Sequence, residues 1–448
     1  MKAFKAYDIR GVYNKDFNKD DAYKIGYFLP KVLKADKVLV GRDVRLSSDE
    51  VFEYLSRGIC DAGADVYDAG LSSTPKIYFG TGYFKFDASV QITASHNPKE
   101  HNGMKVSQTD AMPVGYDNGL NQVEKLMQTE EVIPVKNKGK IIPHNFDDIY
   151  LNFLKKYVKP FGDMKVAIDI SNGMAGLYAR DLFGDAPIYL NENIDGNFPG
   201  HEPNPLEPEN IVMLQEAVKK HKADLGIIFD GDADRVMFID ENAEFISPDL
   251  MIAVLGHYFA EQKRFGKLVQ DIRTSKAVGN YLSKMGYEME TWRVGRAFAS
   301  RKLKEVQGVF GGELAGHYYF KDFYNSDSGI LASLIIGGVL KDFYDKGISV
   351  SQVIANISQF ISSGEINFTL NRKLEAMNAV KDYFYAKEKP LYFADFDGYR
   401  LDYENFWLNI RPSNTEPYLR FIAEANSKEQ LEEIVGIVKE ICGREEFR

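Results

Sequence analysis

Cysteine is almost absent: Cys60 and Cys442 are the only two in 448 residues. Two thiols make neither a disulfide framework nor a cysteine-based zinc site, and their scarcity fits a reducing, cytoplasmic setting. Positive charge is also in deficit, with 55 Lys and Arg against 65 Asp and Glu and a formal net charge of −10. That balance argues against a chain built to hold nucleic acid or an anionic membrane. It leaves room for local basic pockets that take small phosphorylated ligands. The best membrane candidate, Gly329 to Leu340 (GILASLIIGGVL), is shorter than the roughly 20 apolar residues a spanning helix needs. It reads as a buried core helix capped by Asp327 or Ser328. The first residues, MKAFKAYDIRG, lack the apolar stretch of a signal peptide. No low-complexity segment occurs, and 44 % hydrophobic with 27 % charged residues excludes a chain disordered throughout.

What is present is a recurring unit. A short apolar strand ends in a polar or glycine-rich loop, and a helical pattern usually follows. Val38-Leu39-Val40 runs into GRDVRLSS, Lys165 to Ile170 into SNGMAG, Leu225 to Phe229 into DGDADR, and Leu268-Val269 into QDIRTSKAVG. Three stretches align loosely: VLVGRDVRLSS, VAIDISNGMAG and LVQDIRTSKAV. Their spacing suggests three related α/β units, although recurrent strand–loop–helix chemistry produces the same pattern without a true repeat. The last part changes character. Gly364 to Leu370, Leu401 to Ile410 and Tyr418 to Ala425 each alternate as strands, and Lys428 to Cys442 closes the chain as an amphipathic helix. This predicts a separate α+β domain with a largely antiparallel sheet. Polar or turn-rich stretches place the boundaries so that the domains span 1–145, 146–245, 246–362 and 363–448.

Four loops carry residues suited to chemistry. Thr93-Ala94-Ser95-His96-Asn97-Pro98 follows the apolar stretch Ala88 to Ile92. Its serine beside a histidine is a nucleophile arrangement, though the same residues make an ordinary turn. Lys105 follows closely and supplies a cation. Asp230-Gly231-Asp232-Ala233-Asp234-Arg235 places three carboxylates after a strand, where like charges repel unless a hard cation such as Mg²⁺ or Ca²⁺ neutralises them. An EF-hand is excluded, because Arg235 stands where that loop needs glycine and a strand precedes where a helix is required. Gly311-Gly312-Glu313-Leu314-Ala315-Gly316-His317 allows close backbone approach, with Glu313 and His317 able to grip sugar hydroxyls. Arg411-Pro412-Ser413-Asn414-Thr415-Glu416-Pro417 combines a guanidinium, two hydroxyls and an amide into a phosphate cradle. Each loop read alone is also a turn; together they supply complementary parts.

In combination and in order, these loops resemble those of the α-D-phosphohexomutases, the phosphomannomutase/phosphoglucomutase family, over essentially the whole chain. TASHNP resembles the family's phosphoserine loop, DGDADR its metal loop, GGELAGH its sugar loop and RPSNTEP its phosphate loop. Ala6 to Gly11 (AYDIRG) resembles its N-terminal signature. The resemblance implies three related α/β domains with mixed sheets flanked by helices, plus a C-terminal α+β domain, around a central active-site cleft. It implies interconversion of hexose 6-phosphate and hexose 1-phosphate, mannose or glucose, through phosphorylated Ser95 and a hexose 1,6-bisphosphate. Phosphoglucosamine mutase is the alternative within the family and a metal-dependent sugar phosphatase the alternative outside it. Mg²⁺ would bind Asp230, Asp232, Asp234 and the Ser95 phosphoryl group. Glucose 1,6-bisphosphate or mannose 1,6-bisphosphate would activate. Tyr7, Arg235, Arg293, Gly295, Arg296, Glu313, Ala315, His317, Arg411, Ser413, Asn414 and Thr415 would meet substrate, while Lys105, His96 and Arg10 compete for proton transfer. Ala315 departs from the family's usual serine, and the stretch Trp292 to Arg296 departs from the usual substrate-contacting loop. Partners would be small hexose phosphates, with neither nucleic acid nor membrane, and the chain a monomer or homodimer.

Overall fold

The computed structural model describes residues 1–358, 360–413 and 418–447. These form four sheets, one in each successive part of the chain. The first three share one topology. A central first strand (Lys37–Arg42, Val166–Asp169 or Lys267–Asp271) lies between a parallel second strand (Asp65–Leu71, Ile188–Leu190 or Glu288–Trp292) and a parallel third (Ala88–Ile92, Leu225–Phe229 or Phe310–Gly312). The chain then reverses into an antiparallel fourth strand (His101–Gln108, Val236–Asp240 or Tyr318–Phe320). Strands such as Ala88–Ile92 and Leu225–Phe229 bury all five residues. Helices cover both faces of such a sheet, so a continuous apolar run replaces alternation. The three loosely aligned sequence stretches are the first strands of this repeat.

The repeat positions the chemistry. The reversal from third to fourth strand contains Thr93 to Pro98 in the first sheet, Asp230 to Arg235 in the second and Glu313 to His317 in the third. The first-strand loops are equivalent as well. In each, an aspartate accepts from the backbone N–H two residues on: Asp43 from Arg45 (3.0 Å), Asp169 from Ser171 (2.8 Å) and Asp271 from Arg273 (2.6 Å). The core helix Gly329–Tyr344 packs in the large shared core. Ser328, rather than Asp327, caps it by accepting from Leu331 N at 3.0 Å. Among the described residues, no helix is long and apolar enough to cross a membrane.

The last sheet pairs antiparallel throughout its described strands. Tyr418–Ala425 and the helix Lys428–Cys442 fall where the pattern places them. Leu401 to Ile410, which reads as one alternating strand, is instead a hairpin of Tyr399–Asp402 and Phe406–Pro412. Tyr403 keeps an apolar position through the turn by stacking on Phe406 (ring centroids 4.4 Å apart), so the alternation continues where the strand does not.

This domain docks on the third through buried polar groups. Arg400 donates to the carbonyls of Ile272 (2.9 Å) and Thr274 (2.6 Å) and pairs with Asp402. Glu424 Oε2 accepts from Ser275 Oγ (2.6 Å) and Trp407 Nε1 (2.7 Å). Burial first, and nearby Asp249 second, push the Glu424 carboxyl up to about 7 from an ordinary 4.5. The folded chain therefore retains a proton there that the unfolded chain releases. Its stabilising effect is complete below pH 4.5 and disappears as pH rises through 7. Tm measured across that window should fall for the natural chain relative to Glu424→Gln; parallel profiles would contradict the assignment.

Candidate active site

Ser95 occupies the tightest turn of its loop. Its φ is 52°, in the left-handed region that costs a non-glycine residue about 1–3 kcal/mol. Its N–H donates to Thr93 Oγ1 (2.9 Å), and its side chain is turned to the second domain, donating to Asp230 Oδ2 at 3.0 Å. His96 Nδ1 lies 3.3 Å from Ser95 Oγ. Asp230, Asp232 and Asp234 are all fully buried, with carboxylate oxygens within 4.8 Å of one another. Gly231 lets the metal loop meet the serine loop: a Cβ there would lie 2.6 Å from Ser95 O. On the other side, Val236 N donates to Gly316 O (3.2 Å), and Arg235 bridges His317. The aspartate loop thus touches both others through backbone.

The charges are balanced by cations from two domains. Lys105 Nζ bonds Asp232 Oδ2 at 2.7 Å and also pairs with Asp234, while Arg235 Nε bonds Asp230 at 2.9 Å. Thr74 Oγ1 donates to Asp232 as well. Burial tends to raise the Asp232 carboxyl, but Lys105, Thr74 and Ser95 hold it below its ordinary range. Burial and the Asp232 charge push Asp234 up to about 7. Lys105 is held well above the ordinary lysine range: burial opposes its charge, and the two aspartates outweigh burial. Arg10 pairs with Asp8 (2.5 Å) and donates to Asn97 (2.9 Å). Buried nitrogens with no hydrogen-bond partner among the described residues remain at Arg10 Nε, Arg235 Nη2 and Arg293 Nε.

The third and fourth domains complete the site. His317 Nδ1 bonds Asp327 (2.7 Å), and Asp327 also pairs with Arg296, whose guanidinium lies over the Tyr78 ring at 3.6 Å. Asp234 and Asp327 raise the His317 imidazole above its ordinary range although burial lowers it. Glu313 Oε1 accepts from Gly295 N (2.9 Å) and Tyr319 OH (3.2 Å), and burial pushes its carboxyl up to about 7. Gly295 has φ 113°, and a Cβ there would lie 2.9 Å from the Tyr7 ring. Tyr7 OH donates to Val294 O (3.1 Å). Val294 N donates to Asp397 Oδ2 (2.9 Å), and Asp397 Oδ1 takes Arg411 Nε (3.1 Å) and Nη2 (3.0 Å). One chain of contacts thus runs from the first domain to Arg411. Ala315 is partly exposed, and Ser413 N donates to Tyr418 O (2.8 Å). Asn414 and Thr415 lie outside the described residues.

Residues 1–133, 148–243 and 247–360 match alpha/beta/alpha domains I, II and III of phosphoglucomutase/phosphomannomutase, and 365–441 match its C-terminal domain. This chain belongs to the phosphoglucomutase/phosphomannomutase family. A phosphomannomutase of Methanocaldococcus jannaschii is 35 % identical over 99 % of this chain and 98 % of its own. A phosphomannomutase of Vibrio cholerae is 36 % identical over 98 % and 99 %. A crystal structure of a phosphoglucomutase/phosphomannomutase family protein from Burkholderia thailandensis has a TM-score of 0.88 at 26 % identity, covering 99 % and 98 %.

The acidic cluster of this family member fits a divalent cation. Asp232 Oδ1 and Asp234 Oδ1 are buried with no hydrogen-bond partner among the described residues, and an all-oxygen set of this charge suits a hard metal. Several site residues escape a sequence reading. Asp43 and Arg45 sit within the repeated stretch, whose shared aspartate was the available signal. Thr74, Asp327 and Asp397 lack a signal beyond turn or cap chemistry, because each acts on a residue distant in sequence. Since Gly231 sits against Ser95 O, Gly231→Ala should force the two loops apart. Turnover should fall by about 100-fold with only a modest change in Tm; steady-state kinetics beside a melting curve checks this.

Proposed function

We propose that the chain interconverts hexose 6-phosphate and hexose 1-phosphate, with mannose and glucose as its sugars, using Ser95 as phosphoryl carrier. The observation that carries this reading is Ser95 Oγ, on a left-handed turn, 3.0 Å from Asp230 of the buried aspartate cluster and 3.3 Å from His96 Nδ1. In the first half, a sugar hydroxyl oxygen attacks phosphoserine phosphorus, the Ser95 Oγ–P bond breaks, and the hydroxyl proton passes to a nearby base. The resulting hexose 1,6-bisphosphate reorients. Ser95 Oγ then attacks the other phosphorus and loses its own proton, with His96 Nδ1 at 3.3 Å positioned to accept it; the sugar O–P bond breaks, and the departing sugar oxygen takes up a proton as the hydroxyl of the product. Lys105 and Arg10 are instead engaged with carboxylates and serve as fixed positive charge. Glu313 and His317 hold sugar hydroxyls, and the Arg411 to Thr415 loop holds the phosphate that is not reacting. Mg²⁺ on Asp230, Asp232, Asp234 and Ser95 would neutralise charge on the group in transfer.

Four domains spanning 1–145, 146–245, 246–362 and 363–448 divide these tasks, and a hinge near 362–364 lets the last one close on substrate. The full-length likeness to phosphomannomutases at 35 and 36 % identity supports mannose phosphate as a substrate. Glucose 1,6-bisphosphate or mannose 1,6-bisphosphate is the activator, and the cytoplasm the place of action.

Coupled assays with mannose, glucose and glucosamine phosphates should show turnover on the first two. Enzyme treated with glucose 1,6-bisphosphate should gain the mass of one phosphoryl group, and Ser95→Ala should not. A Ser95→Ala protein that labels and turns over normally would place the carrier elsewhere. Metal dependence is tested separately. Exhaustive chelation should reduce turnover to background and added Mg²⁺ should restore it, because phosphoserine adds about −1.5 to −2 charge beside three carboxylates. Full activity in protein shown metal-free by elemental analysis would refute the site.

A further inference from the structure

Arg45 lies outside the four loops, yet its contacts converge on one of them. The guanidinium is buried, and its two terminal nitrogens donate to four backbone carbonyls, three of the serine loop and one at the start of the strand that follows it. Nη2 reaches Ser95 O (2.8 Å) and Asn97 O (2.6 Å); Nη1 reaches Pro98 O (2.7 Å) and His101 O (3.1 Å). Its Nε bonds Asp43 Oδ2 (3.2 Å), which fixes the plane of the fork. The second domain supports the outer side: the Phe198 ring lies 5.1 Å from the guanidinium, and Gly196 passes close against Val44 and Arg45.

The internal repeat shows what is particular to this position. The equivalent residue in the second domain is Ser171, whose hydroxyl donates to Phe229 O (2.6 Å), directly before Asp230. In the third domain it is Arg273, which stays on its own Asp271 and faces Glu365 at 3.6 Å, while Asp271 accepts from Leu314 N (2.9 Å). Each first-strand loop braces the chemistry loop of its own sheet. Of these three reversals, the one that holds Ser95 with its φ of 52° is the one whose backbone carbonyls take an arginine fork.

We infer that Arg45 is a positioning residue for Ser95, clamping the loop carbonyls so that Ser95 Oγ stays aimed at the aspartate cluster. This rests on the reading of Ser95 as phosphoryl carrier. The fork matters more than the charge, because a lysine ammonium is a single point that cannot span four carbonyls. A misplaced nucleophile lowers the rate of both phosphoryl transfers and leaves the sugar grip untouched.

The experiment compares the natural enzyme with Arg45→Lys and Phe198→Leu for kcat, KM, Tm and the rate at which Ser95 gains a phosphoryl group from glucose 1,6-bisphosphate, followed by mass spectrometry. Arg45→Lys should lose about 10- to 100-fold in kcat and in labelling rate, with KM for hexose phosphate within about twofold. Phe198→Leu, which keeps the fork but removes the ring beside it, should lose a few-fold in the same two quantities. An Arg45→Lys enzyme of natural Tm with unchanged kcat and labelling overturns the proposal. Should Arg45→Lys not fold, unchanged kcat and labelling in Phe198→Leu overturns it. Failure of Ser95 to label in the natural enzyme, with turnover intact, overturns the carrier reading and this inference with it.

Discussion

The structure is organised around three carboxylates that water cannot reach. Asp230, Asp232 and Asp234 are fully buried in one short loop, and buried like charges are tolerated only when cations and hydrogen-bond donors surround them. Lys105 and Arg235 supply charge at direct contact, and Thr74 and Ser95 supply donors. Two carboxylate oxygens still lack a hydrogen-bond partner among the described residues. A divalent cation would satisfy that residual demand, and the demand explains why loops from separate sheets converge. The aspartate loop cannot be stable alone in a low-dielectric setting.

The threefold repeat meets this demand with one geometry. Each sheet reverses from its third to its fourth strand at the same topological position, and each reversal carries a different chemistry: a serine, an aspartate cluster, and a glutamate with a histidine. Each first-strand aspartate turns its loop in the same way, and Arg45, Ser171 and Asp271 of those loops reach across to brace the reversals. The scaffold is therefore reused while the loops diverge, as expected when function resides in sites grafted on a fold. The fourth domain follows other rules. Its antiparallel sheet reaches the cleft through Arg411 and Asp397, and its docking surface is a set of buried polar groups around Arg400 and Glu424. Polar interfaces of this kind part and re-form more readily than apolar cores.

Most elements were legible from local pattern. Leu225–Phe229, Ala88–Ile92, Tyr418–Ala425 and Lys428–Cys442 follow directly from apolar runs, alternation and helical periodicity. The hairpin at Tyr403 was not legible, because its turn keeps an apolar residue in phase by stacking rather than by strand geometry. The cap at Ser328 was one of two readings; the other, Asp327, is drawn away by Arg296 and His317.

By itself, the sequence determined which residue types stand in the four loops, the order in which they occur and the apolar strands that carry them. These depend on composition and on periods of a few residues. Only the tertiary structure decided that Arg45 grips the serine loop across 50 residues, that Lys105 lies on the aspartates 127 and 129 residues away, and that Asp397 joins Arg411 to Val294. Such pairings are set by where sheets pack and by which buried charges must be neutralised. No local pattern encodes them, since each partner is chosen by the cost of leaving the other unpaired in the interior.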